Sequence, residues 1–150
     1  MTKTIKVALA GAGAFGIKHL DGIKKIDGVE VVSLIGRRLE ETQKVADQYA
    51  IPHVTTNLDE SLALKHVDAV ILCTPTQMHA SQAIAAMKAG KHVQVEIPLA
   101  DSLASARAVA PPCSAGGTHS STPSRSDLSH VSWRLASLRL ACFVCSMAVD

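Results

Sequence analysis

Three glycines with the spacing G-x-G-x-x-G directly follow the first apolar segment of this 150-residue chain. That segment, Thr4–Ala10, is short, contains β-branched residues and ends at Gly11. From residue 14 onward, apolar residues recur at a spacing of three, which is typical of one face of a helix. A glycine turn between a strand and a helix is the opening of a β–α–β unit, and few other folds accommodate it.

The three glycines meet separate physical demands in such a turn. Gly11 permits the tight turn, Gly13 lets the backbone approach a pyrophosphate, and Gly16 allows the helix to pack closely on the strand. Free N–H groups and the helix dipole then favour an anion at the helix N-terminus. The turn therefore predicts a dinucleotide site. A tight turn without a ligand is the alternative, as are the related loops of methyltransferases and flavoproteins.

The rest of residues 1–110 alternates between strand and helix patterns. Further strands are predicted at Val29–Ile35, residues 53–56, residues 68–73 and His92–Val95. Helices are predicted over residues 14–26, 39–50, 59–65, 77–89 and 101–110, with Asp59 and Thr76 as caps and Gly90 ending the fourth. Five strands alternating with helices predict an α/β fold of the Rossmann type, with right-handed β–α–β units and a doubly wound parallel sheet.

The residues after the second strand bear on which dinucleotide is bound. A site selective for NAD usually places a carboxylate about 20 residues beyond the glycine loop, where it binds the ribose hydroxyls. Here the sequence reads Gly36, Arg37 and Arg38. Two guanidinium groups can pair with a 2′-phosphate, which favours NADP(H) over NAD(H). The alternative is a pair of solvated arginines at the start of the next helix.

Two more loops leave the carboxyl ends of strands, which is where ligands bind in open α/β sheets. The fourth strand leads into the loop Cys73–His79 and the fifth into Glu96–Leu99. Simpler readings are that the prolines of these loops only end strands and that His79 is a surface residue. Cys73 is interpreted as a small buried hydrophobic residue, since the sequence offers no helper base for a nucleophile.

The order of these motifs resembles that of the Gfo/Idh/MocA oxidoreductases over residues 3–110. The matching features are the glycine turn, a T-P-T-x-x-H segment after the fourth strand and an E-x-P segment after the fifth. The resemblance implies that the glycine loop holds the pyrophosphate, that the arginines meet the adenosine ribose, and that the other two loops line the nicotinamide half. The predicted cofactor site comprises Gly11, Gly13, Ala14, Phe15, Gly16, Arg37, Arg38, Cys73, Thr74, Pro75, Thr76, His79, Glu96, Ile97 and Pro98.

The middle residue of the E-x-P segment departs from the family pattern. Most of the family has lysine there, whereas this chain has Ile97, which can neither relay a proton nor donate to a substrate oxygen. The catalytic acid–base group is therefore not identified by the sequence.

Within the family, the glycine turn and the segments after the fourth and fifth strands are most similar to those of a dehydrogenase of protocatechuate 4,5-cleavage. This implies NADP-dependent oxidation of the cyclic hemiacetal of a semialdehyde.

Composition adds a few exclusions. A formal net charge of +2 is too small to indicate a nucleic-acid or membrane partner. No apolar run reaches the ~18 residues that a membrane span requires. Lys3 and Lys6 precede an apolar stretch, but the glycines within that stretch fit a strand and turn better than a secretory signal. We therefore expect a cytoplasmic protein without a metal site.

Residues 111–150 do not continue the pattern. They contain no lysine, nine serines and three of the four cysteines, after Pro111 and Pro112 interrupt the preceding helix. The spacing of Cys142 and Cys145 with nearby histidines matches no standard zinc pattern. We interpret this segment as an anomalous tail, encoded after a frameshift near codon 110. The family's substrate domain is then missing, along with the homo-oligomer it would support.

The alternative function is an inactive NADP(H)-binding module. We expect the 150-residue chain to bind the cofactor weakly and to show no turnover.

Overall fold

Five strands and five helices alternate along residues 4–109, the part of the chain that the computed structural model describes. In chain order they are β1 (Ile5–Ala10), α1 (Ala14–Ile23), β2 (Val29–Ile35), α2 (Leu39–Tyr49), β3 (His53–Thr55), α3 (Leu58–Ala63), β4 (Ala69–Leu72), α4 (Thr76–Lys88), β5 (His92–Val95) and α5 (Leu103–Val109). The predictions about the tail, including the cysteine pair Cys142 and Cys145, lie outside the described residues.

All neighbouring strands of the sheet are parallel, in the order β3-β2-β1-β4-β5. The chain therefore builds outward from β1 in one direction and then crosses back to build outward in the other. The strand order reverses between β1 and β4, which is the point at which ligands bind in sheets of this kind. The predicted α/β fold of the Rossmann type is confirmed.

The two faces of the sheet bury separate apolar clusters. Along β1, Val7 and Leu9 belong to one cluster and Ala8 and Ala10 to the other, because successive side chains of a strand point to opposite faces. These four residues are completely buried. A strand covered by helices on both faces must be apolar throughout, which explains the unbroken apolar run that the sequence carries there.

All five helices differ from their predicted bounds by one to three residues, and the structure gives a reason at three of these ends. Asn57, not Asp59, caps α3, because its side chain accepts a hydrogen bond of 3.0 Å from the Asp59 N–H. Thr76 is the first residue of α4 and not its cap, since Pro75 holds the extended backbone that precedes the helix. Helix α1 ends at Ile23, because the N–H groups of Lys25 and Ile26 bond carbonyls only three residues back.

Two strands agree fully with the sequence patterns, and the other three are shorter than predicted by one or two residues. The strands Val29–Ile35 and His92–Val95 begin and end where they were predicted. Gly90 follows the end of α4 with a φ of 72°, a left-handed conformation that favours glycine. Within residues 4–109, no helix has the length and apolarity needed to cross a bilayer.

Candidate functional site

Four loops begin side by side at the carboxyl edge of the sheet. Ala10 of β1 pairs with Ile35 of β2 and with Leu72 of β4, and Leu72 pairs in turn with Val95 of β5. Backbone hydrogen bonds extend this register by one residue into the loops. The N–H of Gly11 bonds the Ile35 carbonyl at 2.8 Å, that of Cys73 bonds Ala10 at 2.7 Å, and that of Glu96 bonds Leu72 at 3.0 Å. The fold thus brings together the loops that the sequence singled out.

Two of the three motif glycines are required by the protein's own packing. Gly11 has a φ of 113°, and a Cβ on it would lie 2.5 Å from the Cys73 carbonyl oxygen. A Cβ on Gly16 would lie 1.8 Å from the Gly11 carbonyl oxygen. Side chains at these positions would force the backbone of the turn apart, as the motif predicts.

Gly13 is different, because nothing in the described part of the chain requires a glycine there. Its φ of -82° is accessible to any residue, and apart from its chain neighbours no atom of residues 4–109 lies within 4 Å of an added Cβ. Gly13 is also exposed. The space in front of its Cα is therefore left open by the surrounding chain, as a site for a closely approaching ligand requires.

The N-terminus of α1 carries no group that would compete with an anion. No side chain caps it, and its first turn contains no acidic residue. By contrast, Glu40 and Glu41 lie in the first turn of α2, and α3 has the Asn57 cap. The first N–H groups of a helix have no intrahelical partner. Those of α1 therefore face the loop edge with their hydrogen-bonding capacity unused by a cap.

The two arginines after β2 differ in their contacts. Arg38 is the residue before α2, and its Nη1 lies 2.6 Å from Oε1 of Glu41. Both side chains of this pair are 65% exposed. Arg37 is exposed and makes no hydrogen bond or ion pair with any residue in the described range. The structure therefore leaves one guanidinium free and engages the other, which the sequence could not distinguish.

A pocket of about 190 Å³ lies where the glycine loop meets the loops after β4 and β5. Every residue lining it belongs to the set predicted from the sequence: Phe15, Cys73, Thr74, Pro75, Thr76, His79, Glu96 and Ile97. Two of these residues are large exposed apolar side chains, with Phe15 62% and Ile97 84% exposed. The walls combine apolar side chains with two threonines, a histidine and a single carboxylate, a mixture typical of small-molecule sites.

His79 joins the two loops that form this pocket. Its Nε2 lies 2.6 Å from the carbonyl oxygen of Thr74, and its Nδ1 lies 2.9 Å from that of Pro98. The side chain is buried, with only 2% of the residue exposed. The interpretation of His79 as a surface residue is therefore wrong, because its buried ring lies between two carbonyl groups below the pocket and can donate a hydrogen bond to either of them.

Cys73 is partly buried and packs against the apolar cluster under the glycine loop. Burial, together with the nearby negative charge of Glu96, raises the pKa of its thiol to about 12. A thiol of this kind stays protonated at neutral pH and is a poor nucleophile. This agrees with the interpretation of Cys73 as a small buried hydrophobic residue.

The neighbouring Thr74 donates a hydrogen bond from its hydroxyl group to the side-chain oxygen of Gln82, at a distance of 2.5 Å.

One member of the site was not identified from the sequence. His19 of α1 is buried, and its Nε2 lies 2.7 Å from Oε1 of Glu96, a residue 77 positions away. A faint signal exists, because His19 falls beside Leu20 on the helix face that contacts the sheet. A polar residue on a buried face needs a partner, but the helical pattern gives no indication of which residue supplies it.

Comparisons with known proteins agree with this geometry. The sequence model of the oxidoreductase family with an NAD-binding Rossmann fold, Gfo/Idh/MocA, matches residues 5–117. The chain is 68% identical over 105 residues to 4-carboxy-2-hydroxymuconate-6-semialdehyde dehydrogenase of Sphingobium sp. (strain NBRC 103272 / SYK-6), covering 70% of this chain and 33% of that protein. The chain therefore spans about a third of the length of the curated relatives it matches.

Solved structures give the same result for the fold. Scyllo-inositol dehydrogenase from Lactobacillus casei with bound NAD(H) and scyllo-inositol superposes with a TM-score of 0.68 at 26% identity, over 71% of this chain and 32% of that one. A 3-ketoreductase from Actinomadura kijaniata in complex with TDP-benzene and NADP gives 0.66 at 25% identity, over 71% and 34%. By its sequence, its fold and the loops at its sheet edge, this chain belongs to the Gfo/Idh/MocA family of oxidoreductases.

Proposed function

We propose that residues 1–110 form the NADP(H)-binding part of a dehydrogenase that oxidises the cyclic hemiacetal of 4-carboxy-2-hydroxymuconate-6-semialdehyde to 2-pyrone-4,6-dicarboxylate. The observation that carries the binding half of this proposal is the open space at Gly13, at the centre of an otherwise tightly packed glycine turn. The identity of 68% to the dehydrogenase of that name supports the substrate half.

Different residues at the sheet edge bind different parts of the dinucleotide. The N–H groups at the start of α1 bind the pyrophosphate beside Gly13. Arg37, which has no competing partner in the described range, pairs with the 2′-phosphate of NADP. Thr74, Pro75 and Thr76 line one side of the nicotinamide pocket, and Phe15 and Ile97 line it with apolar surface. Glu96 supplies the carboxylate at that end.

Several groups in this site have structural roles instead of chemical ones. His79 fixes the positions of the two pocket loops through their carbonyls. Cys73 stays a neutral thiol, since its pKa is about 12. Ile97 lines the pocket with apolar surface and has no proton to transfer.

The chemistry that bound NADP would supply here is that of a hydride acceptor for the oxidation of the hemiacetal carbon. Oxidation of a hemiacetal to a lactone also releases the hydroxyl proton, so a base is required in addition to the hydride acceptor. Ile97 stands where most of the family carries lysine and cannot provide that base. We therefore propose that the residues contacting the hemiacetal hydroxyl come from the part of the relatives that this chain does not match.

The preference for NADP(H) is tested by replacing Arg37 with aspartate and titrating the full 150-residue chain with NADPH and NADH. We expect NADPH binding to weaken by roughly tenfold or more, because a charge-assisted pair is lost and a repulsive one is gained. NADH binding should stay equal or improve. The control is Lys65→Asp, the same charge change at an exposed residue beyond the opposite edge of the sheet.

Two outcomes decide between the parts of this proposal. If Arg37→Asp leaves the ratio of NADPH to NADH affinity unchanged, the assignment of NADP is wrong. Turnover is measured separately, as the rise in NADPH absorbance when the semialdehyde and NADP are added. We expect this chain to bind the cofactor without turnover, and a clear rate would contradict the assignment of the base to the unmatched part of the relatives.

A further inference from the structure

The contact between His19 and Glu96 links the two halves of the proposed cofactor site. His19 lies in α1, three residues after Gly16, and Glu96 follows β5 in the wall of the pocket. The distance from Nε2 of His19 to Oε1 of Glu96 is 2.7 Å. The histidine side chain is 4% exposed and the glutamate side chain 28%, so this contact is shielded on one side and reaches the pocket on the other.

The partners of the ring determine which nitrogen carries the proton. A carboxylate only accepts hydrogen bonds, so Nε2 of His19 must donate. The other nitrogen, Nδ1, is buried and has no hydrogen-bond partner among the described residues. A proton on Nδ1 as well would bury a second donor without an acceptor, whereas an unpaired lone pair is less costly. The geometry therefore favours the neutral tautomer with its hydrogen on Nε2.

This bond fixes one oxygen of Glu96 and leaves the other available. Glu96 is the single acidic side chain lining the pocket, and its Oε1 is occupied by His19. A glutamate held by one oxygen loses most of its rotamer freedom before a ligand arrives. Binding then costs less conformational entropy than it would with a freely rotating carboxylate.

We propose that His19 is a positioning residue that presents the Glu96 carboxylate to the hydroxyl and amide donors of the nicotinamide riboside. This inference rests on the proposed binding of NADP(H) and adds a residue outside the pocket lining to it. Because His19 belongs to the helix whose N-terminus receives the pyrophosphate, one helix sets the geometry at both ends of the bound nicotinamide nucleotide.

The test compares two replacements of His19 in the full chain. His19→Gln retains a donor close to the position of Nε2, and His19→Met keeps a similar volume without a donor. Binding of NADPH is measured beside binding of adenosine 2′,5′-bisphosphate, which lacks the nicotinamide end. We expect His19→Met to weaken NADPH binding roughly three- to tenfold. Adenosine 2′,5′-bisphosphate binding should be unchanged for both variants, and His19→Gln should restore most of the NADPH affinity.

A general structural defect would weaken both ligands equally in His19→Met, and that result would overturn the inference. Equal NADPH binding by the wild-type chain and His19→Met would overturn it as well. If the wild-type chain binds neither ligand, the proposed function is wrong, and the inference about His19 is wrong as well.

A spectroscopic measurement keeps the inference testable if His19→Met does not fold. The imidazole ¹⁵N chemical shifts of wild-type His19 should show a proton on Nε2 and none on Nδ1. Glu96→Ala, a change at a partly exposed residue, should alter this pattern and weaken NADPH but not adenosine 2′,5′-bisphosphate. Finding the proton on Nδ1, or a His19 signal unaffected by Glu96→Ala, would contradict the proposal.

Discussion

Replacing Gly13 with alanine separates a glycine needed for folding from a glycine needed for binding. Its φ of -82° and ψ of -167° are accessible to alanine, and the added Cβ meets no described residue within 4 Å other than its chain neighbours. Alanine lowers the entropy of the unfolded chain, which stabilises the fold by about 0.4–1 kcal/mol. Glycine is also the better residue before a helix, by a similar amount. These two effects oppose each other, so we expect the free energy of unfolding to change by less than about 1 kcal/mol.

The same methyl group occupies the space that a pyrophosphate would need. If it displaces the phosphate from one N–H of α1, the loss is that of one hydrogen bond to a charged group, about 1.5–3 kcal/mol. This corresponds to a roughly 10- to 150-fold weaker affinity. The assays are thermal unfolding for stability and fluorescence titration with NADPH for binding, both on the 150-residue chain.

Two other glycines of the same segment serve as controls. Gly22 lies inside α1, and beyond its chain neighbours and its own helix backbone no described residue lies within 4 Å of an added Cβ. Gly22→Ala should therefore stabilise the helix by about 0.5–1 kcal/mol and leave NADPH binding unchanged. Gly16→Ala should prevent normal folding, because its Cβ would lie 1.8 Å from the Gly11 carbonyl oxygen. The reasoning is refuted if Gly13→Ala binds NADPH as well as the wild-type chain does.

Two further predictions concern residues beside the cofactor site. Glu41→Gln should improve NADPH binding by roughly two- to threefold without affecting NADH binding, because it releases Arg38 from an exposed ion pair. Titration with both nucleotides checks this prediction, and an equal gain in affinity for both would contradict it. Because the pKa of the Cys73 thiol is raised to about 12, the unfolded chain releases this proton at lower pH than the folded chain. The free energy of unfolding should therefore fall as pH rises from about 9 towards 12. When the free energy of unfolding is measured by chemical denaturation, it should fall less steeply with pH in Cys73→Ala. The same dependence on pH in the variant and the wild-type chain would contradict the raised pKa of Cys73.

Much of the fold was predictable because it depends on local patterns. The apolar segments mark the strands, and the spacing of Gly11, Gly13 and Gly16 identifies the first turn. The membership of the pocket was also predictable, since the carboxyl ends of parallel strands meet at one edge. All residues lining the pocket come from the loops that this rule selects.

The interactions that the sequence did not reveal are those between distant residues. The burial of His79 depends on the carbonyl of Pro98, and the role of His19 depends on Glu96, 77 residues away. Local patterns also misplaced the cap of α3, which was predicted at Asp59. The backbone conformation before the helix selected Asn57. For both histidines, a three-dimensional neighbour decided what the residue type alone left open.

We propose above all that NADPH binds across the carboxyl edge of the sheet, from Arg37 to Glu96. The most direct measurement is the change in backbone amide chemical shifts of the 150-residue chain as NADPH is added. We predict the largest changes in the glycine loop, at Arg37 and in the loops after β4 and β5, with little change at the opposite edge around Lys65. No change at saturating NADPH, or changes centred away from the glycine loop, would contradict the account.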